Sequence, residues 1–125
     1  MSKVAWKTEP DEHDYPAAAS YLSLLAPATQ VSDIVERLKA ADISYFKAKD
    51  MLRASRLPLL PVDNPHVASD LKKIKKGIAL SPVLLVRGDL VDDVALRIAD
   101  GYHRVCASYY TDENTNIPCR MVALS

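Results

Sequence analysis

No part of this 125-residue chain holds the roughly 18 consecutive apolar residues that a membrane-spanning helix requires, so nothing in it reads as a span. Its opening, MSKVAWKTEPDEHDYP, carries acidic residues and lacks the apolar centre of a secretory signal, which makes the cytoplasm the expected compartment. Neither sign of charge dominates, since 16 Lys and Arg balance 16 Asp and Glu. Neutralising phosphates supplies most of the non-specific affinity of a nucleic-acid binder, so a missing basic excess argues against that as the main role. The two cysteines, Cys106 and Cys119, show neither CxxC spacing nor a neighbouring His cluster. That excludes a thiolate metal site, and in a cytosolic protein both thiols are expected to be reduced and buried. Internal repeats and low-complexity tracts are also absent.

What is present is enough apolar residue, 49%, for one ordinary core, and a length that suits one domain. The first dozen residues read as loosely ordered. Residues 14–25 have helical character: Asp14 is placed to cap, Pro16 suits the first turn, and Tyr21, Leu24 and Leu25 make the apolar stripe. After the break at Ala26-Pro27, a second helix over 29–41 sets Val31, Ile34, Val35 and Leu38 on one face. These two helices form an N-terminal helical extension, 1–42. Its apolar face packs on its own domain or serves a protein partner or a homodimer.

The remainder, 43–125, reads as a short strand or turn at 43–47, a helical turn at 49–53 and a proline-rich loop. A helix over 65–76 follows, capped by Asn64 and stopped by Gly77, with Val67, Leu71 and Ile74 inward. Lys72, Lys73, Lys75 and Lys76 cluster on it, most simply as a solvated face, with a nucleic-acid backbone as the lesser reading. Strands are expected at 82–87 and 94–99, paired as a hairpin, then a helix over 102–110 and a last strand at 117–124. The fold class that follows is mixed α/β.

The turn Asp100-Gly101-Tyr102-His103-Arg104 carries the chemistry. Gly101 lets a ligand approach the backbone where a strand passes into a helix. The amides of the helix's first turn have no partner within it and present the positive end of the dipole, a geometry that attracts anions. His103 and Arg104 add donors at the same end, Arg104 with a fork suited to phosphate. Asp100 is placed to cap the helix or to fix the His103 tautomer. Asp-Gly is also an ordinary turn, and Arg104 an ordinary partner for a surface carboxylate.

The stretch IADGYHRVCASYYTDENTNIPCRMV resembles the signature of the ParB/sulfiredoxin-like superfamily: a strand, a G-x-[HR]-R-x-x-A turn opening a helix, then a short strand led by Ile-Pro. The matching residues are Gly101, His103, Arg104, Ala107, Ile117, Pro118 and Val122. Upstream, NPHVASDLKKIKKGIALSPVLLV is similar to the helix, glycine and proline-led strand that precede the signature in ParB-type domains. The likeness spans roughly residues 43–123. It implies a small mixed sheet with packed helices and a nucleotide-phosphate site at the turn, because ParB partition proteins bind CTP, sulfiredoxins use ATP, and some free-serine kinases carry a related DGHHR motif. By motif match Gly101, His103 and Arg104 would hold phosphate oxygens. Ser69 falls where sulfiredoxins place a phosphate-binding serine, and His66 and Arg56 near further basic contacts. Each has a plain reading beside it: Ser69 as helix surface, His66 as a first-turn residue, Arg56 as a solvated loop charge. Tyr102 stands where sulfiredoxins carry their catalytic cysteine, so that reaction is not expected. Cys106, four residues on, reads as core. The helix-turn-helix and dimerisation segments that follow the signature in ParB have no counterpart in the 125 residues.

Two functions follow. The first is binding of a nucleotide, ATP or CTP, with phosphoryl transfer or hydrolysis. Asp100 and His103 would then be the candidate catalytic pair, and Asp100, Asp63 or Asp70 would supply a carboxylate for Mg²⁺. The second is a non-catalytic protein- or nucleic-acid-interaction module on the same fold.

Overall fold

Val83, Leu84, Leu85 and Val86 are all buried, and an apolar run with no exposed side needs cover on both faces. The computed structural model describes residues 3–125 and supplies that cover. In chain order the elements are α1 Asp14–Leu22, α2 Ala28–Ala40, β1 Ser44–Lys47, α3 Ala48–Ser55, α4 Pro65–Lys75, β2 Val83–Val86, β3 Arg97–Asp100, α5 Tyr102–Thr111 and β4 Asn116–Val122. The fold is mixed α/β. The sheet order is β1-β4-β2-β3, with β4 antiparallel to β1 and parallel to β2, and β2 antiparallel to β3.

Side chains alternate across this sheet and feed two apolar clusters. Val83, Leu85, Ile98, Ile117 and Cys119 point to one face and pack with Ala48, Met51, Val67, Ile74, Val105 and Cys106 from α3, α4 and α5. Leu84, Val86 and Ala99 point to the other and meet Tyr15, Ala18, Leu22, Val31, Ile34, Val35 and Leu38 from α1 and α2. The α2 stripe read from the sequence is therefore buried on the chain's own sheet. Both cysteines are free thiols and buried. No helix among the described residues is long and apolar enough to cross a membrane.

Several expectations need correction. The first dozen residues are not loose along their described part: Leu80 donates to Ala5 O and accepts from the Lys7 amide, both at 2.8 Å, pinning this segment beside residues 79–81. Helix α1 stops at Leu22, where tight turns from Tyr21 and Leu22 lead the chain toward Pro27. Leu24 and Leu25 consequently lie exposed, and the buried face is Tyr15, Ala18 and Leu22 instead. Strand β3 starts at Arg97 rather than Val94, because the Leu96 amide donates to Ala54 O at the end of α3 and leaves the hairpin ladder.

Other signals act as the chemistry requires. Asn64 Oδ1 accepts from the amides of His66 and Val67, at 3.0 and 3.2 Å, and Pro65 follows as the first helical residue of α4. Gly77, at φ +72°, closes the helix as the Ile78 amide returns to Lys73 O and the Gly77 amide to Ile74 O. Helix α4 packs along α5.

Candidate functional site: a polar pocket between α4 and α5

Strand β3 delivers Asp100 to the sheet's end, and Gly101 turns the chain into α5. Gly101 sits at φ +113°, and a Cβ there would lie 2.4 Å from Val83 Cγ1. The glycine is thus fixed by the approach of β2 as much as by any need to admit a ligand. No side chain caps the first turn of α5. Asp100, expected to cap it or to orient His103, does neither. Its Oδ2 accepts from Arg104 Nη2 at 2.9 Å, across one helical turn.

Arg104 faces a second carboxylate that sequence reasoning missed. Asp14, the expected cap of α1, makes no cap hydrogen bond and is 2% exposed. Its Oδ2 lies 3.5 Å from Arg104 Nη2 and accepts from the Ser81 hydroxyl. Ser81 Oγ in turn accepts from the Asp11 amide at 3.0 Å. A chain of buried Ser81 and Asp14 and partly buried Arg104 and Asp100 therefore ties α1 and the segment before β2 to the turn. Nothing local marks Asp14 and Ser81 as partners, since 67 residues separate them. Among the described residues, Arg104 Nε is one of two buried side-chain nitrogens with no hydrogen-bond partner.

On the outer side of Arg104 the two helices leave a pocket of about 240 Å³. It is lined by His66, Ser69, Asp70 and Lys73 from α4 and by Asp100, Gly101, His103 and Arg104 from the turn. The His66 and His103 rings lie 4.7 Å apart, and Tyr102 stacks on His103 at 5.8 Å. The Tyr102 hydroxyl itself points away and donates to Pro58 O. Burial lowers the His103 pKa below its usual value, and the charge of His66 pushes the same way. Burial raises the Asp70 carboxyl against the pull of Arg104 and Lys73. It raises Asp100 too, opposed by its Arg104 bond and helped by Asp14.

Of the sequence-derived candidates, Gly101, His103, Arg104, Ser69, His66 and Asp100 thus converge on one pocket, and Asp70 and Lys73 join them. Arg56 does not. It ends α3 in the left-handed region at φ 59°, pairs with Asp93, and lines a separate groove with Lys49, Arg53 and Tyr109. Lys73 is the member of the lysine cluster that reaches the site, while Lys72, Lys75 and Lys76 are exposed. Cys106 is fully buried, and burial pushes its thiol pKa up, which is the behaviour of a core residue rather than a nucleophile.

Of the three carboxylates named for Mg²⁺, Asp70 and Asp100 line the pocket, Asp100 bonded to Arg104, and Asp63 does not line it. Among the described residues the one metal-like grouping is Asp11, His13 and Asp14, outside the pocket. Lys7 pairs with Asp11 at 2.7 Å, Ser81 and Arg104 both engage Asp14 Oδ2, and His13 Nε2 lies 3.4 Å from Asp14 Oδ1.

The pocket offers hydroxyl, imidazole and cationic donors at an uncapped helix start. With neutral imidazoles its formal charge is zero, Lys73 and Arg104 cancelling Asp70 and Asp100. Compared with family models, with curated proteins and with solved structures, the chain matches none.

Proposed function

We propose that the α4–α5 pocket binds the phosphate end of a nucleotide, ATP or CTP. Gly101, His103 and Arg104 on one wall and His66, Ser69 and Lys73 on the other supply the contacts. The observation that carries this reading is convergence. His66, Ser69, Asp100, Gly101, His103 and Arg104, singled out by chemistry and by resemblance to ParB/sulfiredoxin-like turns, line one small polar pocket. Its lining has no aliphatic platform for a base and no aromatic ring besides the two imidazoles, and its volume is below the roughly 300 Å³ at which sites begin to enclose a drug-sized ligand. The base and ribose would therefore lie outside it. Phosphoryl transfer would use Asp100 or His103 as the proton acceptor, with any Mg²⁺ carried in on the nucleotide's own phosphates.

Thermal unfolding against ATP, CTP, GTP and pyrophosphate, with and without Mg²⁺, tests the reading. A ligand at 100 times its Kd stabilises the folded state by about 2.7 kcal/mol, a readily measured rise in Tm. Lys73→Glu is the informative variant, because Lys73 is exposed and makes no ion pair among the described residues, whereas Arg104→Ala would strand the buried Asp14 carboxylate. A shift present in the wild type and absent in Lys73→Glu is the expected result. Absence of a shift with every compound at millimolar concentration would overturn the reading.

A further inference from the structure

The most unusual feature of the pocket is two imidazoles in contact within a site whose fixed charges cancel. We propose that the pocket takes up a proton together with its anion, so that the His66–His103 pair becomes cationic only when a dianionic oxyanion, such as a phosphomonoester or terminal phosphate, occupies it. The inference rests on the phosphate reading above and deepens it.

The groups facing the pair account for this behaviour. From α4 come Ser69, which is neutral, and Asp70 and Lys73, which are opposite in sign. From the turn and α5 come Asp100 and Arg104, bonded to each other at 2.9 Å, with Asp14 behind Arg104 and the Tyr102 ring against His103. Arg104 therefore offers little free charge, since two carboxylates already compensate it. Lys73 is opposed by Asp70. The charged side chains give an incoming dianion no net attraction unless an imidazole is protonated. Without an anion, protonating both rings would set two like charges with ring centroids 4.7 Å apart, which mutual repulsion opposes, and the burial of His103 adds to that. An oxyanion beside both rings reverses that balance, because each imidazolium gains a charge-assisted hydrogen bond to it. Linkage is reciprocal: if the anion raises the affinity for protons, protons raise the affinity for the anion by the same factor.

Sulfate is the probe of choice, since it stays dianionic across the range of about pH 5 to 8 in which histidine changes charge and contributes no titration of its own. Binding followed by calorimetry in two buffers of different ionisation enthalpy, on protein shown by circular dichroism to be folded throughout, should register proton uptake. Affinity should tighten by up to about tenfold per pH unit on acidification for one proton bound. In the double variant His66→Gln/His103→Gln, which keeps hydrogen-bonding groups but cannot titrate, the dependence should flatten and binding at low pH should fall to its high-pH strength, and each single variant should lose part of the dependence. The titration of His103 in the free protein, followed by its ring C–H resonances, should move upward in His66→Gln. Sulfate or pyrophosphate binding that is equally tight across the range, without proton uptake, would overturn the inference and leave the phosphate reading standing. No binding of either anion at any pH would overturn both.

Discussion

Gly101 shows how a single residue can serve packing and function at once. A methyl group there would collide with Val83 Cγ1 and Cβ, at 2.4 and 2.9 Å, and would crowd Arg104 Nη2 at 3.0 Å. It would also have to hold a positive φ. Gly101→Ala should therefore cost about 2 kcal/mol or more in urea unfolding, from overpacking and left-handed backbone strain together. Val83→Ala added to it removes the methyl group that is struck and should restore part of the loss. If the double variant is no more stable than Gly101→Ala alone, the collision with β2 is not the cause. The residues of this turn were legible in the sequence because a turn glycine, a histidine and an arginine at a helix start declare their chemistry locally. Asp14 was not. Before Tyr15-Pro16 it has the local pattern of a cap, and only burial beside Ser81 and Arg104 makes it part of the site.

Among the elements, α2 was read correctly and α1 only in part, for a physical reason. Val31, Ile34, Val35 and Leu38 repeat at helical spacing over a full stripe, so the buried face of α2 is set by its own sequence. In α1 three alanines and a proline leave little pattern, and the sheet selects Tyr15, Ala18 and Leu22. The consequence is measurable. Leu38→Ala, at a fully buried position against β2 and β4, should destabilise by about 2–5 kcal/mol. Leu24→Ser, at a position 83% exposed, should change stability by no more than about 0.5 kcal/mol. Arg120 fastens these elements further, donating to the Tyr15 hydroxyl at 3.0 Å and to Lys39 O at 2.6 Å. Similar substitution costs at both positions would show that α1 and α2 do not cover the sheet in solution.

For the molecule as a whole, the pocket should leave a mark on stability against pH. Burial raises the Asp70 pKa above its unfolded value, so the folded state holds that proton more tightly. The contribution of Asp70 thus favours folding below the ordinary carboxylate range and is lost as pH rises through the raised folded value. At neutral pH the ionised Asp70 is a net cost. Asp70→Asn should then unfold at higher urea concentration than the wild type near pH 7, with the gap closing as pH falls into the carboxylate range. A gap that stays constant over that range would exclude Asp70 as its source. Asp100 is raised in the same direction, but Asp100→Asn would also weaken its bond to Arg104, so Asp70 gives the cleaner measurement.

The sequence by itself determined the mixed α/β class, the stripe of α2, the caps of α4, the hairpin pairing of β2 with β3, and the turn that opens α5. These features depend on periodicity, turn stereochemistry and capping, all of which act over a few residues. Only the tertiary structure decided that residues 3–12 are anchored beside Leu80, that β3 begins late because Leu96 bonds to α3, and that Arg56 faces another groove. It also decided that Arg104 is shared between Asp100 and a buried Asp14, and that His66 meets His103. Those outcomes come from contacts between segments far apart in the chain, where the partner of a charge or an amide is chosen by packing and leaves no local signature.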